Sequence, residues 1–281
     1  QPSPALQIHY FLARDILGDD PMTIEVEPSY PAELSVLVYN DGYGTAKNFR
    51  IDSGQPKITD NEKGLLIDFA LWDYETTDSM LNGTPNNLPL GQVNLGDIGS
   101  KKTGLAQWWL TCSLLGHFVG MEASYSHLSS RGNPDLSLID SVDIHELVRS
   151  GRTLDDTATI FLVNDKTDTD DMPETLWFSN NASNEQVLSA NHSLSADPQL
   201  ISTGSDHTYT FTISAHQAGW HYIVLDDPGD GRYEIVSFAR GDTVLPVRNC
   251  WLTTCTLRDG EDPVYENKLR LMDLLAADTS Y

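Results

Sequence analysis

The segment Ile144-His145-Glu146-Leu147-Val148-Arg149 opens the way the zinc-binding helix of a metalloprotease opens. That chemistry needs a second histidine four residues after the first, so that both imidazoles face one metal beside the glutamate base. Arg149 stands at that position, and the segment reads instead as a polar stretch at a sheet edge. Acidic loops offer a second chemistry. Asp165, Asp168, Asp170 and Asp171 cluster in DKTDTDDMPE, Asp226, Asp227 and Asp230 in DDPGD, and a third group is Asp259–Asp262. Calcium takes roughly six to eight oxygens and often draws them from loops of this composition. None of the three has the EF-hand spacing: Pro228 breaks the third loop position and Ser237 replaces the terminal glutamate. A solvated loop is the first expectation for each, with calcium as the one cofactor the composition suggests.

Other catalytic patterns are missing from the sequence. There is no G-x-S-x-G, no P-loop, and no G-x-G-x-x-G at a strand–helix junction. His216 and His221, five apart, would face opposite sides of one strand. A Ser/His/Asp triad drawn from distant positions leaves no local signature, and nothing here points to one. The six tryptophans raise a different chemistry, stacking on sugar rings, with Trp72, Trp108, Trp109 and Trp251 as candidates. Tryptophan is nevertheless highly buried on average, which makes core packing the more ordinary role.

Three sequons, at Asn82, Asn181 and Asn191, fall in polar, turn-rich stretches that a glycan could reach. The chain starts at Gln1 and shows no charged-then-apolar leader, as a mature secreted chain would. Three cysteines cannot all pair with one another. Cys250 and Cys255 flank Trp251–Thr254 and are expected to close a small hairpin with a disulfide, while Cys112 reads as a buried thiol in AQWWLTCSLL.

Seventeen basic residues against 41 acidic ones give a net charge of −24. The excess is spread evenly, −11 through Ser150 and −13 beyond it, so it is a property of the whole surface and not an acidic tail. Such a surface repels phosphate backbones, and nucleic acid is excluded as a partner. No apolar run is long enough to span a bilayer as a helix.

The elements that would carry these residues are strands. Leu34–Tyr39 alternates, Asn40, Asp41, Gly42 and Gly44 interrupt it with turn chemistry, and Lys47–Ile51 resumes it. Leu6–Leu12, Gly64–Trp72, Leu105–Leu115 and Phe118–Ser126 continue the pattern, and Ser137–Val148 is read as a strand closing the first domain. Further on, Thr159–Val163, Thr175–Phe178, the alternation of Tyr209, Phe211 and Ile213, and Val244–Val247 are strand-like. Trp220–Leu225 and Tyr233–Ala239 suggest a hairpin around DDPGDG, and Lys268–Leu275 ends the set. The expectation is an all-β chain of two tandem Ig-like or fibronectin-like antiparallel β-sandwiches, 1–152 and 153–281.

The spacing Asn40, Gly42, Gly44, Ala46, Asn48 resembles the adhesion-related, Ig-like (CARDB-like) β-sandwich domains of large secreted and surface multidomain proteins, and the runs GDDP, QPKITDNEKGLLIDF, LSLIDSVDIHEL and PVYENKLRLMD are similar to stretches of long extracellular multidomain proteins. The resemblance implies a structural or adhesive role and brings no catalytic residue with it.

These readings converge on a non-enzymatic, extracellular structural or adhesive glycoprotein. A carbohydrate-binding module and a secreted hydrolase are the alternatives. Apolar strands near both ends, Leu6, Ile8, Tyr10 and Leu12 at one and Leu269 and Leu271 at the other, suggest strand contacts between copies, and so self-association into a homopolymer. Glycans are the other partner class expected.

Overall fold

A computed structural model describes residues 2–20, 24–58, 69–76, 92–113, 116, 118–128, 138–166, 172–189, 193–194, 199–203, 207–214, 217–256, 264–276 and 279–280. The described residues are strands and loops, with a single 3-10 turn at Val247–Asn249. The all-β expectation holds. The chain divides into two compact units: Gln1–Val148 with Phe178–Ser183, and Arg149–Trp177 with Asn184–Tyr281.

The first unit holds β1 (Leu6–Ala13), β2 (Ala32–Asn40), β3 (Ala46–Ile58), β4 (Phe69–Thr76), β5 (Val93–Ile98), β6 (Thr103–Cys112) and β7 (Phe118–Leu128). β8 (Ile139–Arg152) runs through its boundary. One sheet has the order β4-β6-β2-β1-β8 and the other β5-β3-β7. The core lies between them. Leu6, Ile8, Tyr10 and Leu12 meet Leu34, Val36, Val38, Ala106, Trp108 and Leu110 from one sheet and Ala46, Phe49, Ile51, Val93 and Leu95 from the other. Except across the register shift between Ala46 and Phe49, these are alternate positions on each strand, as the two-residue period of a strand requires. The Tyr125 hydroxyl donates to the Tyr10 hydroxyl at 3.1 Å, a polar contact inside an apolar core.

The sheet departs from expectation in direction. β1 pairs with β2 antiparallel but with β8 parallel, Tyr10 beside Ile144 and Phe11 beside His145. β1 is therefore interior, with hydrogen-bonding partners along both edges. That explains its composition: Phe11 occupies an off-core position yet is fully buried, and strands buried on both faces carry near-continuous apolar runs.

The turn after β2 is held by one side chain. Asn40 is fully buried, and its amide nitrogen donates to the carbonyls of Gly44 (2.7 Å), Ile98 (2.9 Å) and Gly99 (3.1 Å). Its oxygen accepts from the backbone of Ala5 and Gly42. The residues ahead of β1 lie so close that a Cβ on Gly42 would stand 2.4 Å from the Ala5 nitrogen, and one on Gly44 2.4 Å from the Pro2 oxygen. Asn48 takes a φ of 48° at an irregularity of the β3–β5 pairing, with its N–H donated to Asp97 Oδ1 at 2.9 Å. The motif that carries the family resemblance is thus a turn, a core residue (Ala46) and a left-handed backbone position.

The second unit holds β9 (Thr159–Val163), β10 (Thr175–Phe178), β11 (Ser183–Leu188), β12 (Ser193–Leu194), β13 (Gln199–Thr203), β14 (His207–Thr210), β15 (Thr212–Ser214) and β16 (Gly219–Asp226). β17 (Ala239–Arg240), β18 (Thr243–Val244), β19 (Cys250–Thr256), β20 (Val264–Leu275) and β21 (Thr279–Ser280) complete it. Its main sheet is ordered β19-β20-β16-β11-β10-β9, with β11 parallel to β16. The pairings β12-β15-β21, β13-β14 and β17-β18 are small. Its core sits on one face of β16, β19 and β20, where Ile223, Leu225, Leu269 and Leu271 meet Phe211, Ile213, Phe238 and Leu245. Among the described residues the covering layer is short strands and loop, not a second full sheet. Both units therefore differ from an antiparallel sandwich: each has a parallel pair, and the second has one large sheet.

Two further expectations are corrected. Tyr233–Phe238 is not a strand; β16 pairs instead with β20, Tyr222 beside Met272 and Leu225 beside Leu269. The terminal strands are not open edges either. β20, with Leu269 and Leu271, lies between β16 and β19, as β1 lies between β2 and β8. Both strands are interior to their own sheets, and that placement accounts for their apolar residues.

Candidate functional site

The loop after β16 gathers the exposed chemistry of the second unit. Asp227 folds it: Oδ1 accepts from the Gly229 N–H at 2.8 Å and Oδ2 from the Gly231 N–H at 2.7 Å. This is the short-range bonding that makes aspartate a turn residue. Gly231 has a φ of 69°, and a Cβ there would stand 2.9 Å from the Asn267 amide oxygen. Asp226 takes Lys268 at 2.8 Å, and Asn267 Nδ2 donates to Asp230 at 3.3 Å. The Asp226 carboxylate, then that of Glu266, raises the Lys268 ammonium above the ordinary lysine range. So the loop's carboxylates bond to backbone amides and to β20.

The loop presents an aromatic stack. The Tyr233 ring lies 4.4 Å from the His207 ring of β14, with 26° between their planes, and the Tyr233 hydroxyl is 3.3 Å from His207 Nε2. The Arg232 guanidinium stands 5.9 Å from the Tyr233 ring centre and donates to the Gly229 carbonyl at 3.1 Å. Tyr233 is 40% exposed, and His207, Arg232 and Glu234 are exposed. The two rings thus stack on each other, with a guanidinium, an imidazole and a phenol brought together on exposed residues.

Among the tryptophans whose side chains are described, which leaves out Trp72, none forms such a surface. Trp108, Trp220 and Trp251 are 2, 5 and 8% exposed, and Trp109 and Trp177 are half-buried. Trp251 stacks on Tyr222 and is covered by the Arg149 guanidinium, 5.3 Å from its ring. Arg149 thus packs against an aromatic ring.

Of the acidic candidates, Asp165 is exposed, while Asp168, Asp170 and Asp171 lie outside the described residues. Among the described residues no three histidine, cysteine or acidic side chains are grouped to hold a metal ion. Of the sequons, Asn82 and Asn191 lie outside the described residues. Asn181 is exposed on the turn between β10 and β11, and its Oδ1 accepts from both the N–H (3.0 Å) and the hydroxyl (2.8 Å) of Ser183. The sequon serine is thereby bonded to the amide that would receive the glycan.

The expected disulfide is absent. Cys250 and Cys255 are both buried, on the same strand, with no disulfide. Five residues of strand separate their Cα atoms by on the order of 15 Å, against roughly 4.4–6.8 Å for a disulfide. The segment between them is strand, not the tight turn that a short loop suggests. Burial, opposed only in part by the Arg149 charge, pushes the Cys250 thiol up to about 12.

Sequence reasoning passed over Tyr233 and His207. Tyr233 was placed on a strand, and the two are 26 residues apart with no shared motif. The available signal was an aromatic just after a turn rich in Gly and Asp, where a ring has little core to enter. No protein-family model matches this chain, nor does any curated protein or solved structure.

Proposed function

We propose that this chain is a non-enzymatic, extracellular adhesive module that holds carbohydrate on the Tyr233–His207 platform. The observation that carries the reading is that stack: two aromatic rings 4.4 Å apart on exposed residues, Tyr233 on the loop braced by Asp227 and His207 on β14. The use of the other polar groups supports it. Asn40, Asp97 and Asp227 are bonded into turns and bulges, which gives rigid β-units whose loops are free to carry contacts. The two facing sheets of the first unit are compatible with an Ig-like module, and the exposed Asn181 with a glycoprotein.

The test is a screen of the purified chain on a glycan array, followed by calorimetry with the best sugar. Wild type retains a defined glycan class, and Tyr233→Ala loses at least tenfold in affinity while keeping its melting temperature. Retention of no glycan, or equal binding by Tyr233→Ala, overturns the platform.

Self-association belongs to the same proposal. With β1 and β20 interior, the edges open to strand contacts between copies include those of β4 and β19, the two end strands of the eleven-stranded hydrogen-bonded order among the described residues. Electron microscopy of native material tests it: filaments that persist after deletion of residues 1–5 support edge contacts, and dispersed single particles refute a homopolymer.

A further inference from the structure

On the face of β1 and β8 turned away from the first unit's core, two histidines meet. His9 is 6% exposed and His145 7%, and His9 Nδ1 lies 3.0 Å from His145 Nε2. Their ring centres are 5.3 Å apart, and Phe11 stacks on His145 at 5.0 Å. The pair bridges the parallel β1–β8 ladder, in which His9 sits beside Asp143 and Phe11 beside His145.

A hydrogen bond between two imidazole nitrogens needs one N–H and one lone pair. It survives with both rings neutral, and it survives one added proton. A second proton removes the last lone pair. Two N–H groups then point at each other, and two cations share a site with little water to screen them. Charged groups among the described residues stand on the strands around the pair. On β8, Asp143 Oδ2 lies 3.8 Å from His9 Nδ1 on a half-exposed side chain. On β2, which flanks β1 on the other side, Ser35 and Leu37 are the register neighbours of Phe11 and His9, and Glu33 is bonded to Ser35 and to Gln107 of β6. Beyond the end of β1, Arg14 stands by Asp15 at 3.6 Å and Glu146 at 4.0 Å.

We infer that the His9–His145 contact is a proton-operated latch on the β1–β8 ladder, closed at neutral pH and opened by mild acid. The folded pair accepts one proton, and taking a second requires the rings to separate, which parts β1 from β8. In the unfolded chain both imidazoles charge freely near pH 6.5. The unfolded state therefore binds the extra proton, and stability falls as pH falls through that range. One withheld proton lowers the folding equilibrium constant about 30-fold between pH 7.5 and pH 5. The latch does not depend on the glycan reading, because it lies in the other unit.

The test is urea denaturation at pH 7.5 and 5 of wild type and of His9→Gln and His145→Gln, in which an amide keeps one hydrogen bond without taking a proton. Wild type is expected to lose about 30-fold more in folding constant between the two pH values than either variant. Amide exchange in wild type should accelerate first in β1 and β8 at pH 5. Pairwise pH losses equal within about threefold overturn the latch. If the variants do not fold, proton NMR of wild type decides alone: one imidazole titrating while the other stays unprotonated until unfolding supports it, and two independent titrations refute it.

Discussion

Arg240 Nη1 lies 2.8 Å from Asp273 Oδ2, and that carboxylate is only 1% exposed. The same guanidinium nitrogen donates to the Leu274 carbonyl at 2.8 Å, while the Leu274 N–H takes the other carboxylate oxygen at 2.8 Å. Arg240 comes from the short β17 and Asp273 from the central β20, so the pair fastens the covering layer of the second unit onto its main sheet. Removing one partner strands a buried charge. Arg240→Ala should cost about 3 kcal/mol, the low end for a buried pair because Arg240 is a quarter exposed. The double change Arg240→Met with Asp273→Leu should cost less than Arg240→Ala alone. Urea denaturation of the three proteins measures this, and a double variant weaker than the single one refutes the account.

Asn40→Ala removes five hydrogen bonds at one buried point and leaves carbonyls and amides without a partner. A loss of about 3 kcal/mol or more is expected. Gly42→Ala and Gly44→Ala push against backbone and should cost about 1–3 kcal/mol each by displacing residues 2–5. Thermal melts rank the three, and proteolysis near the N-terminus should increase in both glycine variants.

Burial, then the Tyr125 hydroxyl, raises the ionisation of Tyr10 far above its ordinary value of 10.0, and burial raises Tyr125 too. A folded-state pKa above the unfolded one gives stability that is complete below pH 10 and lost as pH rises beyond it. Stability should fall by about 1.4 kcal/mol per pH unit above 10 from Tyr10 alone. Tyr10→Phe should flatten that slope. Denaturation between pH 9 and 11.5, with phenolate absorbance followed in parallel, gives both numbers.

The Cys250 thiol, at about 12, should not react with maleimide at pH 8 while the chain is folded, and all three buried cysteines should be modified only on unfolding. Non-reduced peptide mapping adds an independent readout. A linked Cys250–Cys255 peptide would show that β19 does not hold its extended form.

Asn181 is the sequon whose exposure the fold supports. In chain expressed through a secretory route, glycan should be found there by mass spectrometry, and Ser183→Ala should abolish it. Unmodified Asn181 in such material would oppose the glycoprotein reading.

Much of the first unit was legible. Alternation in β1 and β2 named its core residues, and the Asn-x-Gly-x-Gly turn was recognised from residue chemistry. Direction was not. Whether β1 runs parallel to a strand 130 residues later leaves no local mark, and only the off-core Phe11 betrayed an interior strand. The hairpin assigned to Tyr233–Ala239 failed for a related reason: neighbours in sequence usually pair, and here β16 pairs with β20 across an intervening loop and the strands β17, β18 and β19. The platform was invisible because Tyr233 follows the DDPGDG turn while His207 opens β14, 26 residues earlier.

The parallel pairing of β1 with β8 also bears on how this chain emerges from a ribosome. His9 and His145 are 136 residues apart. At about 5–20 residues per second, β1 waits roughly 7–30 s for its second neighbour to be made. Through that interval a strand with two apolar faces has one edge unfilled, the state in which a nascent chain is most open to wrong pairing and to chaperone capture. Arresting synthesis just before and just after Ile139–Arg152 has been exported should give two populations, one held by chaperones and one compact.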